Sequence, residues 1–93
     1  MNRERQLVLE EVRRRGSLAA LNCDTEHGHA AGDVMDLMEP GVAYKRVGVV
    51  QARLRRHLVA LWKAGFLTRS RWSYDGAWGG DPKWFYCYEP VVG

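Results

Sequence analysis

GVAYKRVGVVQARLRRHLVALWKAGFL, residues 41–67, is the stretch whose reading decides the fold. It reads as a turn, one long helix and the start of a strand. Val47, Val50, Leu54, Leu58 and Leu61 recur at spacings of three and four, which at about 100° per residue lines them along one helical stripe. The opposite side carries Lys45, Val49, Ala52, Arg56 and Lys63, with Arg53 and Arg55 on its flanks. Gly65 stops the helix. Residues 40–74 hold eight Lys or Arg and no Asp or Glu. A helix that is apolar on one side and basic on the other suits a groove lined with phosphates.

A chain of 93 residues is enough for one domain, residues 1–93, with a core that needs no staple. Its balance of apolar and charged residues, 46% and 27%, excludes a disordered or fibrous chain. No apolar run approaches the roughly 20 residues that span a bilayer, so no membrane partner is expected. The opening MNRERQLVLEEV sets acids inside its apolar segment, unlike a signal peptide. The expected location is therefore the cytoplasm, or a host cytoplasm for a viral or plasmid gene.

Charge is unevenly spread. Residues 1–39 carry a net −3, residues 40–74 a net +8 and residues 75–93 a net −2. Such asymmetry in one small domain points to a single basic face and an anionic partner. The bland alternative is a solvated helix face, but such faces usually mix signs.

Outward from the central helix, Arg3–Arg15 reads as a first helix. Leu7 or Val8 pairs with Val12, and Glu4, Glu10 and Glu11 precede Arg13, Arg14 and Arg15, an order that suits the helix dipole. Gly16 is placed to end it. Residues 17–26, SLAALNCDTE, fit either a short helical turn or a brief strand pairing with a later hairpin. His27, Gly28 and His29 read as a loop. Residues 30–39 read as a second helix with Val34, Met35, Leu37 and Met38 on its apolar face, ended by Pro40 and Gly41. Two helices joined by so tight a turn, the second basic, form a helix-turn-helix. Residues 67–74 read as a strand with Arg69 and Arg71 on one face. Residues 75–82 form a Gly-rich hairpin loop, and residues 83–89 return with Trp84, Tyr86 and Tyr88 on one face.

This order resembles the winged helix-turn-helix domain, an α+β fold of three helices followed by a two-stranded β-hairpin wing. Leu54, Leu58, Leu61, Gly65, Phe66 and Leu67 resemble the signature that closes the recognition helix of MarR-, ArsR- and PadR-type regulators. Arg69 and Arg71 match the basic first strand of their wing, and KWFYCYEP resembles its aromatic return strand. The resemblance covers roughly residues 30–90. It implies sequence-specific double-stranded DNA binding by a small transcriptional regulator, with the third helix in the major groove and the wing on backbone or minor groove. Many such proteins dimerise through a helix beyond the wing, and this chain stops at Gly93 without one.

The candidate DNA contacts are therefore Tyr44, Lys45, Arg46, Val49, Gln51, Ala52, Arg53 and Arg56 on the third helix and its approach. Arg pairs with guanine, Gln with adenine, and Ala or Val with a thymine methyl. Part of any such set contacts phosphate only. Arg69, Arg71 and Lys83 belong to the wing. Trp78, at the hairpin tip, either stacks on a nucleotide or partner or folds back over the hairpin. Trp62, Trp72 and Trp84 are expected in the core or on a dimer surface. A homodimer is expected, since one winged helix reads only a few base pairs. Its surface is expected on the first helix with Leu18 to Leu21.

Cys23, His27, His29 and Cys87 could supply four zinc ligands, but their spacing is not that of a structural zinc site. No metal, no other cofactor and no disulfide is expected. An enzyme is not expected either, for want of a nucleotide loop, a nucleophile motif or a carboxylate pair. The alternative function is a winged-helix docking module of a replication or transcription complex, with the Trp and Tyr side chains as its sticky surface.

Overall fold

In the computed structural model three helices precede a two-stranded antiparallel hairpin, and the chain is α+β as expected. The structure describes residues 1–20, 26–41, 47–73 and 84–91. In order come α1 (Arg3–Arg15), α2 (Glu26–Met38), α3 (Val47–Lys63), β1 (Leu67–Ser73) and β2 (Trp84–Pro90).

Local chemistry sets the ends of α1. The Asn2 side chain accepts a 2.7 Å hydrogen bond from the Arg5 N–H, and Gly16, at φ 87°, donates its own N–H to the Val12 carbonyl. Arg14 and Arg15 both pair with Glu11, and Arg15 also lies 3.8 Å from Asp33 of α2. The end of α3 is a complete Schellman motif. Gly65, at φ 87°, donates to the Trp62 carbonyl at 3.1 Å, and Phe66 to that of Leu61 at 2.9 Å.

The start of α2 corrects the sequence reading. His27, Gly28 and His29 belong to the helix, which begins at Glu26, rather than to a loop. Nucleation is the costly step of helix formation and propagation is cheap. Ala31, Val34 and Met35, buried in the core, fix the helix, and its ladder runs back through two glycines. The hairpin loop, residues 75–82, with Trp78 at its tip, lies outside the described residues.

The core joins every element. Val8, Leu9 and Val12 of α1 meet Ala31, Val34 and Met35 of α2 and Val50, Leu54, Leu58 and Leu61 of α3, with Leu67 and Tyr88 closing it from the hairpin. Val47, expected on the buried stripe, is exposed, because the stripe begins one turn beyond the packed region. Between α1 and α2, Leu18 pairs with Tyr88 through two backbone hydrogen bonds of 2.8 and 2.9 Å. This is the brief strand pairing left open by the sequence, and it carries one rung of a third strand onto β2. No helix among the described residues is long and apolar enough to cross a membrane.

Candidate nucleic-acid interface

The solvent side of α3 is where the basic residues were expected to gather, and they divide in two. Arg55, Arg56 and Lys63 are exposed. They border a shallow apolar groove floored by Val59 and Ala60. Arg53 and Gln51 are turned aside. The Gln51 amide approaches the Ala20 carbonyl at 3.4 Å. The Arg53 guanidinium lies between two carboxylates, with Nη2 3.2 Å from Glu39 Oε2 and Nε 2.8 Å from Glu4 Oε1. Nε is buried and its N–H points off that second line, so the Glu4 contact is an ion pair without a hydrogen bond at Nε.

Beside Arg53, one turn further along, His57 is buried and polar. Its Nδ1 accepts from Arg5 Nε at 3.2 Å, so Nε2 carries the ring proton and donates to Glu4 Oε1 at 2.7 Å. Burial pushes the Glu4 carboxyl up, but the hydrogen bond from His57 and the charge of Arg53 outweigh it and leave the carboxyl below its ordinary value. The cluster of Glu4, Arg5, Glu39, Arg53 and His57 locks α1 and the end of α2 to α3. Sequence reading missed it, though the signal was there. His57 falls beside Leu54, Leu58 and Leu61 on the inward side of α3, and residues 40–74 hold no acid, so any partner of Arg53 must come from elsewhere in the chain, where eight of the eleven acids lie in the first 39 residues.

The hairpin divides its cations in the same way. β1 and β2 pair antiparallel, with Arg69 opposite Tyr88 and Arg71 opposite Tyr86, so the two arginines share a face with Trp84, Tyr86 and Tyr88 as the alternation predicts. Arg69 is half-buried. Its guanidinium lies 3.5 Å from the Trp62 ring centre and 3.8 Å from that of Tyr86, and Nη1 reaches the Tyr88 hydroxyl at 3.4 Å. It ties the hairpin to the end of α3 more than it faces outward. Arg71 is exposed, 4.3 Å over Trp84.

Of the tryptophans expected in the core or on a dimer surface, one joins the core and two do not. Trp62 packs half-buried against the core. Trp72 and Trp84 are exposed, on opposite faces of the hairpin, in the two pairs farthest from the Leu67–Pro90 end that closes the core. Tyr44, Lys45, Arg46 and Lys83 lie outside the described residues. So do Cys23 and the side chains of His27 and His29. Cys87 is a buried free thiol whose pKa is raised by burial against the opposing hydrogen bond with Ser17. No cluster of potential metal ligands occurs among the described residues.

The surface Leu18 was expected to lend to a dimer is taken up within the chain. Leu18 and Ala19 are buried, as are Val8, Leu9 and Val12 of α1. The described cations left facing solvent along α3 and the hairpin are Arg55, Arg56, Lys63 and Arg71, and α3 itself contains no acid. No protein-family model matches the chain, and neither a curated protein nor a solved structure does.

Proposed function

We propose that the chain is a winged helix-turn-helix domain that binds double-stranded DNA sequence-specifically as a small transcriptional regulator. In this reading α3 enters the major groove and the β1–β2 hairpin is the wing that lies along backbone or minor groove. The observation that carries it is the outward face of α3, which keeps Arg55, Arg56 and Lys63 exposed while Glu4 and Glu39 are committed to Arg53 and His57. A face kept clear of acids while acids are used one turn away suits a polyanion. The order of helices and hairpin, with one rung of a strand between α1 and α2, is the layout that the winged helix requires.

The reading assigns Arg56, Arg55 and Lys63 to DNA, Arg71 to the wing contact, and Arg53, Gln51 and Arg69 to positioning. Tyr44, Lys45, Arg46 and Lys83 keep the contacting roles that the sequence suggests. Function as a homodimer follows from the few base pairs one such domain reads. The test is a fluorescence-anisotropy titration of the purified chain with a pool of random short duplexes at low salt, followed by selection on that pool. Enrichment of a short motif repeated at about one helical turn supports the reading. A failure to bind any duplex contradicts it.

A second reading has its own observation. Trp72 and Phe66 are 48% and 40% exposed at the hairpin and its root. Large apolar side chains in the open suit a docking module for a replication or transcription protein. Light scattering separates the two, since a strict monomer without duplex affinity fits the docking module alone.

A further inference from the structure

The outward line of α3 changes character along its length. Val49, Ala52, Arg56 and Lys63 follow one another at helical spacing, apolar first and basic after. Val49 is 55% exposed, more than any other large apolar side chain of the described helices. The long polar side chains of the same turns face elsewhere, with Gln51 on the Ala20 carbonyl and Arg53 between Glu4 and Glu39. Over these first turns α3 therefore presents Val49 outward, with the half-buried Ala52 next to it on the same line. Gly48 beside them is bare, and a Cβ there would meet no atom within 4 Å, so the packing does not demand a glycine. A backbone without a side chain is what close approach to a ligand uses.

We propose that α3 reads duplex DNA by covering thymine C5-methyl groups with Val49 and Ala52, rather than by base-edge hydrogen bonds from Gln51 or Arg53. The inference rests on the major-groove reading of α3. Every A·T pair sets one methyl group in that groove, and G·C pairs set none. An apolar side chain gains by taking the methyl out of water, whatever the base-pair orientation. Arg55, Arg56 and Lys63 further along the helix supply the charge that holds a phosphate backbone against it. That charge, on a helix without acids, commits the face to nucleic acid rather than to an apolar protein surface.

The experiment compares alternating A·T duplexes with the same duplexes carrying uracil for thymine. The two have equal charge and equal hydrogen-bonding edges and differ only by the methyl. Thymine duplexes should bind more tightly by about fourfold for each methyl covered. Placing 5-methylcytosine in G·C duplexes should restore a comparable gain. Val49→Ser, at an exposed site of nearly equal helix propensity, should lower the thymine-over-uracil affinity ratio by about fourfold, the share of one methyl, and leave the rest of the ratio to Ala52. Equal affinity of the unmodified protein for thymine and uracil, with salt-dependent binding intact, overturns the methyl reading and leaves DNA binding standing. So does a Val49→Ser variant that loses both equally. Absence of binding to every duplex at low salt overturns the major-groove reading beneath it.

Discussion

Glu4 Oε1 and His57 Nε2 lie 2.7 Å apart, joining the first turn of α1 to the middle of α3 across 53 positions of sequence. The same oxygen is 2.8 Å from Arg53 Nε. One carboxylate thus serves two partners on the helix assigned to DNA, and the pitch of α3 against α1 is set by this cluster as well as by the leucines. Half-buried networks of this kind are costly to leave partly satisfied.

Stability should therefore fall in acid with a contribution traceable to Glu4. Its folded-state pKa lies below the ordinary value, so its contribution is fully present above the unfolded pKa of about 4.3 and is lost as pH falls through the lower folded value. Glu11, depressed by its hydrogen bond with Arg14, acts in the same window. Glu4→Gln should lower the unfolding free energy at neutral pH by about 1–2 kcal/mol. It should also make the loss of Tm below about pH 4.3 shallower than in the unmodified protein. An unchanged acid slope would show that the cluster is not linked to folding.

Two arginines on the same helix should behave as different kinds of residue. Arg53→Ala leaves Glu4 and Glu39 without their shared cation and should cost about 1–3 kcal/mol of stability. Arg56→Ala, at an exposed position, should stay within about 0.5 kcal/mol in thermal unfolding while weakening duplex binding. Chemical denaturation and anisotropy on the same two variants check this. Equal stability losses would place Arg56 in the packing too.

The hairpin pair should divide in the same way. Arg69→Ala removes a guanidinium lying over both Trp62 and Tyr86 and should lower stability by about 1–2 kcal/mol. Arg71→Ala should leave the fold intact and weaken binding to all duplex sequences alike, as a phosphate contact does. Sequence selectivity altered by Arg71→Ala would point to base readout by the wing.

Two glycines should respond in opposite directions. Gly65 has φ 87° in the cap of α3, and Gly65→Ala should destabilise by about 1 kcal/mol or more. Gly48 sits in ordinary helical backbone with open space around it, and Gly48→Ala should stabilise by about 0.5–1 kcal/mol. Thermal melts of the two variants read this directly. A Gly48→Ala variant with lower Tm would mean the first turn of α3 is held by something other than helix propensity.

The arrangement was legible in residues 41–67 because the leucines of α3 repeat at helical spacing and Gly65 marks its end. The strands were legible because arginine and aromatic side chains alternate at period two. Arg53 was harder. Its azimuth on the helix is intermediate, and which way a flanking arginine turns depends on Glu4 and Glu39, held by elements distant in sequence. The −3 of the first 39 residues and the +8 that follows looked like a face prepared for an external anion. Part of that charge is instead matched inside the molecule, on Arg53, which Glu4 and Glu39 flank. Trp72 and Trp84, expected in the core or on a dimer surface, are not in the core, because a two-stranded sheet has too little cover to bury both its faces.

The central claim is that α3 and the hairpin engage a polyanionic duplex through their free cations. Duplex affinity measured across a range of salt concentrations tests it most directly. Arg55, Arg56, Lys63 and Arg71 alone give a slope of log K against log salt of about −3.6, and Lys45, Arg46 and Lys83, if all three contact phosphate, would steepen it to about −6.3. A slope in that range, reduced by about 0.9 in Arg56→Ala and unchanged in Arg53→Ala, is the predicted result. A flat salt response, or no duplex binding at low salt, would contradict the account.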